Sequence, residues 1–278
     1  MKVMILGATG LLGKALLREW AGDDVVGFSS RDVDIRDLER VRKVTDEIRP
    51  DWIVLAAAYT DVDGCESNRD LAFAVNRDGA VNVAKSAKAV GSKLLFLSSD
   101  YVFDGKHTSP YEIHEARNPQ SVYGRSKAEA EVQLLEILPS CCVARTSWLF
   151  GTGGKCFPDT ILKLAATRPA LDVVSDQRGS PTYVIDLARA IVELCRKDAT
   201  GIVHLTNAGY CSWFEFAREI VKGAGSATEV RPVSSEKMAR PAPRPAYSVL
   251  SPTSLRKYGI EMPRWNDALL RYLRERSS

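Results

Sequence analysis

Val3-Met4-Ile5-Leu6-Gly7-Ala8-Thr9-Gly10-Leu11-Leu12-Gly13 sets the fold of this chain. Four apolar residues run straight into three glycines spaced G-x-x-G-x-x-G, and the apolar pattern Leu11–Trp20 follows. This is a buried strand, a tight turn and a helix. Gly7 allows the turn, Gly10 lets backbone approach a phosphate, and Gly13 lets the helix pack on the strand. The free N–H groups and the positive dipole end of that helix suit a pyrophosphate. Gly7, Thr9, Gly10, Leu11, Leu12 and Gly13 are therefore candidate dinucleotide-binding residues.

The same rhythm continues outward. Strands are expected at Val25–Phe28, Trp52–Ala56, Lys93–Leu97 and Cys142–Thr146. Helices are expected at Asp37–Ile48, Leu71–Val90 and Val122–Leu138, with Gly91 and Pro139 as stops. Strands alternating with helices imply an α/β fold, a Rossmann-like doubly wound parallel sheet. After Gly151 the rhythm loosens. Helices at Asp159–Ala166, Ile185–Arg196, Trp213–Gly223 and Asp267–Arg276 are joined by Gly/Pro-rich connections. We expect a dinucleotide-binding domain over 1–150. A smaller substrate-binding lobe over 151–278 is expected to be partly interleaved with the main sheet.

Composition bounds the function. In 278 residues, Lys+Arg 38 against Asp+Glu 35 leaves a net charge of +3, too little to argue for nucleic acid or an anionic membrane. No stretch approaches the ~20 apolar residues that span a bilayer. The six cysteines form no C-x-x-C pair and read as reduced thiols of a cytoplasmic protein.

At the end of the second strand, Ser29-Ser30-Arg31 offers two hydroxyls and a guanidinium. These suit the 2′-phosphate of NADPH better than a bare ribose diol, although Asp32 and Asp34 leave NADH open. Asp34 and Ile35 are placed for the adenine. Ala56, Ala57 and Ala58, followed by Tyr59, leave room for the cofactor after the third strand.

Tyr123 and Lys127 lie four apart on one face of a helix, and Ser99 ends the fourth strand. Reducing a ketone requires a proton for the forming alkoxide. A phenol beside an ammonium can supply it, the ammonium drawing down the phenol pKa. Ser99 can polarise the carbonyl. Asn76 can bridge backbone and water behind Lys127.

Ser98-Ser99-Asp100-Tyr101-Val102-Phe103-Asp104-Gly105, Arg145-Thr146-Ser147-Trp148-Leu149-Phe150-Gly151, the segments Asp176–Thr182 and Cys211–Ala217, and Arg244–Ser248 extend these motifs. With them the chain resembles, over nearly its whole length, the dTDP-4-dehydrorhamnose reductases of the extended short-chain dehydrogenase/reductase superfamily. The resemblance implies Tyr123 as proton donor, Lys127 as its partner, and Ser99 where the family often has threonine. It implies a small sugar-nucleotide substrate in contact with Ser99, Tyr101, Val102, Phe103 and Trp148. Arg178 and Arg244 are candidates for its diphosphate, with Arg231 and Arg240 as competitors. Some relatives use Mg²⁺ at a dimer contact. No acidic cluster here compels a metal site, and a homodimer is left open. Two other readings share this chassis: a sugar-nucleotide epimerase or dehydratase, and a non-catalytic NADP-binding subunit like the methionine adenosyltransferase β subunit.

Overall fold

The computed structural model describes residues 1–277. In chain order the first half runs β1 (Lys2–Leu6), α1 (Leu11–Glu19), β2 (Asp24–Phe28), α2 (Leu38–Ile48), β3 (Trp52–Leu55), α3 (Val62–Ser67), α4 (Arg69–Phe73), α5 (Ala80–Val90), β4 (Lys93–Ser99), α6 (Val122–Ile137) and β5 (Cys142–Thr146). The second half runs β6 (Leu149–Phe150), α7 (Phe157–Ala165), β7 (Ala170–Val174), β8 (Arg178–Gly179), β9 (Thr182–Tyr183), α8 (Val184–Arg196), β10 (Gly201–His204), β11 (Cys211–Ser212), α9 (Trp213–Gly223), β12 (Glu229–Val233), α10 (Thr253–Arg256) and α11 (Trp265–Ser277).

Six strands form one sheet in the order β10-β5-β4-β3-β1-β2, every pair parallel. Alternation on β1 shows why its residues are apolar throughout. Val3 and Ile5 face the core shared with α1 and α8, while Met4 and Leu6 face the core shared with α2 and α5. A parallel sheet covered on both faces needs such continuous runs. The chain leaves β1 for β2 on one side, then crosses to β3 on the other. The crevice at this reversal, beyond the strand C-termini, is where open α/β sheets bind ligands. The sheet's last strand, β10, comes from the second half of the chain, so that half is built onto the same core.

The stretch Leu71–Val90, expected to hold helical material, is helical throughout, with a change of helix type inside it. Ala74–Gly79 forms a π-turn between α4 and α5, and α5 then ends at Gly91 in the left-handed region. Such π-turns often sit at functional sites. Among the described residues no helix is long and apolar enough to cross a membrane.

Candidate active site

A cavity of about 790 Å³ opens above the ends of β1, β3, β4 and β5. On one side it is lined by the glycine turn. Gly7 takes φ +94, and a Cβ there would lie 2.5 Å from the Ala57 nitrogen. A Cβ on Gly13 would lie 2.2 Å from the Gly7 carbonyl oxygen, so α1 docks on the turn backbone to backbone. Gly10 differs, because a Cβ there would meet only the Gly7 oxygen, at 3.3 Å. Protein packing therefore does not demand a glycine at position 10. A backbone kept bare toward the cavity is what a closely held pyrophosphate requires, and the cradle fits a dinucleotide on that ground. Thr9, Leu11, Leu12, Ala56, Ala57 and Ala58 complete this end, with Ser30, Asp34 and Ile35 at its far edge.

On the other side lie Ser99, Tyr101, Tyr123, Lys127 and Trp148. Ser99 ends β4. Its hydroxyl donates to Asp100 Oδ1 at 2.9 Å and accepts from the Tyr101 N–H at 3.2 Å. Helix α6 starts beside it, with Ser121 accepting from the Gly124 N–H to cap the helix. That start places the half-buried Tyr123 against Tyr101, rings edge to face at 5.7 Å, and buries Lys127 over the Phe96 ring at 4.2 Å. Burial pushes the Tyr123 phenol above its ordinary value, a side-chain hydrogen bond with Ser99 draws it down, and Asp100 pushes it up. Burial pushes Lys127 itself down to about 7, opposed by Glu131. Burial likewise raises Asp100 to about 6, against hydrogen bonds from Ser248 and Ser99.

Trp148 holds a left-handed backbone, φ +48, rare for a bulky residue. Its indole stacks on Trp213 at 3.5 Å with 6° between the planes. Both line the cavity, Trp213 arriving on α9 from the second half of the chain. This arrangement gives a dinucleotide-sized cradle, and on the other wall a phenol, a hydroxyl, a buried amine and the stacked indoles. It is chemically equipped to deliver a proton to a bound carbonyl.

The chain matches, over residues 1–278, the family described as RmlD substrate binding domain. It belongs to that family. This RmlD-family chain is 41% identical over 279 residues to the spore coat polysaccharide biosynthesis protein SpsK of Bacillus subtilis, covering 100% of this chain and 98% of that protein. It is 40% identical to the dTDP-4-dehydrorhamnose reductase of Mycobacterium tuberculosis strain H37Rv, covering 96% and 91%. Among solved structures, the dTDP-4-dehydrorhamnose reductase of Bacillus anthracis in complex with NADP superposes with TM-score 0.96 at 41% identity, covering 99% of this chain and 100% of that one.

Several expected site residues of the RmlD-family chain lie elsewhere. Val102 and Phe103 follow Ser99 in sequence but are buried in a small core of their own with Tyr111 and Ala128, so they have no surface to offer a substrate. Arg244 is engaged by Asp63 through two bonds of 2.9 Å, and Arg178 lies exposed 4.0 Å from Glu215; neither lines the cavity. Ser29 donates to Asp32 at 2.6 Å, and Arg31 is exposed and not part of the lining. Tyr59 packs against Cys65 and Val122 instead. Asn76 sits behind the wall. Its side chain bonds both backbone groups of Tyr59 and the Ser126 hydroxyl, tying the π-turn to α6.

Other lining residues were missed. Arg36, bonded to Asp34 at 2.6 Å, replaces Arg31 at the cavity edge. Thr146, in register with Ser99 across β4 and β5, brings a buried hydroxyl with no hydrogen-bond partner. Lys155 and Trp213 come from beyond residue 150. Register with Ser99 was a usable signal for Thr146; the rest depend on tertiary packing. Among the described residues, no group of three or more His, Cys, Asp or Glu side chains is placed to hold a metal ion.

Proposed function

We propose that this chain is an NADPH-dependent reductase that converts the 4-keto group of dTDP-4-dehydro-L-rhamnose to the alcohol of dTDP-L-rhamnose. The observation that carries the reading is the shared cavity, in which the bare glycine turn and the Ser99–Tyr123–Lys127 wall face one ligand space. The family and its named reductases support the substrate class. Gly7, Gly10, Gly13 and the neighbouring lining residues would hold the dinucleotide, with Ser30 and Arg36 at the 2′-phosphate end. When bound, the cofactor supplies the hydride.

The chain's own residues do the rest. Tyr123 donates its proton to the carbonyl oxygen as negative charge develops there. Lys127 offsets the phenolate left behind and offers N–H donors to the ribose. Ser99, whose oxygen accepts from the Tyr101 N–H, stands on the same wall as the phenol. Its own proton is engaged by Asp100 in the resting arrangement, so Ser99 polarises the carbonyl once that bond yields. Trp148, backed by Trp213, presents an aromatic face to the apolar side of a deoxyhexose.

We assign residues 1–150 to the cofactor and 151–278 to the substrate lobe. The free cysteines suit a cytoplasmic enzyme. The test follows NADPH absorbance with the 4-keto sugar nucleotide generated in situ, against no-sugar and NADH controls. Stoichiometric oxidation with formation of dTDP-rhamnose is expected. Sugar conversion without net NADPH loss would mean an epimerase, and tight NADPH binding without turnover would mean a regulatory subunit.

A further inference from the structure

Beneath the reducing wall lies a charged group that the proposed reaction does not use. Glu131 stands one helical turn beyond Lys127 on α6 and is wholly buried. Its carboxylate accepts four hydrogen bonds. Ser98 donates to Oε1 at 2.5 Å, Arg117 Nε to Oε2 at 2.6 Å, and Arg145 Nε and Nη2 to Oε1 and Oε2 at 2.9 and 2.7 Å. Ser98 precedes Ser99, and Arg145 precedes Thr146, on paired strands. One carboxylate therefore joins the end of β4, the end of β5 and the helix that carries Tyr123 and Lys127.

We propose that Glu131 is a positioning residue for the reducing centre, its buried carboxylate fixing the wall and keeping the Lys127 ammonium charged. The inference rests on the catalytic reading of Tyr123 and Lys127. A buried amine loses its proton unless a negative charge stands nearby. Besides Glu131 and Tyr123, α6 carries Arg125, Glu129 and Glu136, and the elements packed against it carry Asp63, Cys65 and Glu66 on α3, Arg69 and Asp70 on α4, Arg77 and Asp78 in the π-turn, Lys85 and Lys88 on α5, Lys93 at the outer start of β4, and Asp100 and Tyr101 after β4; of these acids only Glu131 and Asp100 are buried. His204 is held neutral, its pKa pushed down to about 3 by burial and by Arg145. Asp100 is raised by its own burial, so it is a poor fixed anion. Of the two buried acids, Glu131 is the one held below its ordinary value, by Arg145 and Arg117 acting against burial. It is also the group acting on Lys127 to raise it.

The test titrates Lys127 directly, by NMR of ¹³Cε-lysine in the full-length protein, with the resonance assigned by its loss in Lys127→Met. Glu131→Gln is expected to move the Lys127 titration to lower pH by about one unit or more. The alkaline limb of the kcat–pH profile should move with it. Arg117→Gln removes a cation beside the same carboxylate from a partly exposed position, so it should move both upward. A carboxylate that only braces the fold would leave the Lys127 titration of Glu131→Gln unmoved. A folded Glu131→Gln protein whose Lys127 titrates as in wild type overturns the inference. Should Glu131→Gln not fold, Glu131→Asp decides: its shorter side chain draws the charge back, and a Lys127 titration unmoved from wild type there overturns it. Because the titration needs no turnover, failure of the proposed reaction in the wild-type protein would be seen separately.

Discussion

At the scale of single residues, the site separates groups that do chemistry from groups that hold them. Tyr123 is placed to give up a proton, so Tyr123→Phe is expected to lower kcat by about 10²–10⁴-fold. NADPH binding, followed by fluorescence titration, should persist, because the glycine cradle is untouched. A variant that turns over at the wild-type rate would remove Tyr123 from the mechanism. Asp100 makes a different case. Burial raises its carboxyl to about 6, above the ordinary 3.8, so the folded protein binds that proton more tightly than the unfolded chain. Stability from this group is full below pH 4 and falls as pH rises toward 6 and above. Asp100→Asn, which cannot ionise, is expected to be more stable than wild type by about 1–3 kcal/mol at pH 8. The gain should vanish near pH 4, measured by denaturant melts at both pH values. A gain equal at both would show that the buried charge is not its source.

At the scale of elements, local pattern carried far into the site and then failed for stated reasons. The turn after β1 and the Tyr123–Lys127 helix were legible because each is contiguous in sequence and fixed by one period. Arg36 was not legible as a lining residue because it is held there by its bonds to Asp34, which sequence spacing does not reveal. Val102 and Phe103 were misplaced because adjacency to Ser99 says nothing about which way a short turn buries its side chains. Trp213 was seen as the start of a helix but not as part of the site. Its position depends on a capping box, in which the Ser212 hydroxyl accepts from the Glu215 N–H at 3.1 Å and Glu215 accepts from the Ser212 N–H at 2.7 Å. Ser212→Ala is expected to cost about 1 kcal/mol in a thermal or chemical melt. It should also weaken the circular-dichroism signal of the stacked Trp148–Trp213 pair, since that stack is anchored at the first turn of α9. Loss of stability with the tryptophan signal intact would mean that the stack is held from Trp148, in the link between β5 and β6.

At the scale of the whole molecule, the question is whether the two parts assigned to cofactor and substrate can exist apart. The parallel sheet was legible from its alternating strands and helices. Its last strand was not, because β10 reads as an isolated short apolar run and finds its place only by pairing with β5. One apolar core answers the question. It joins Val3, Ile5 and Leu16 from the first part to Leu187, Ile191, Leu194, Phe216 and Tyr272 from the second. Helix α8 lies against α1, so a cut at residue 150 would strip one face of the sheet and of the very helix that follows the glycine turn. Exposing that many large apolar side chains costs about 1.5–3 kcal/mol each, more than the net stability of a typical domain. Calorimetry of the full chain should therefore show one cooperative transition, and a fragment ending at 150 should lack native near-UV dichroism and fail to bind NADPH. Two resolved transitions, or a fragment that binds the dinucleotide at wild-type affinity, would make the lobes independent. In the fused arrangement, Lys155, Trp148 and Trp213 reach the same cavity that Tyr123 lines.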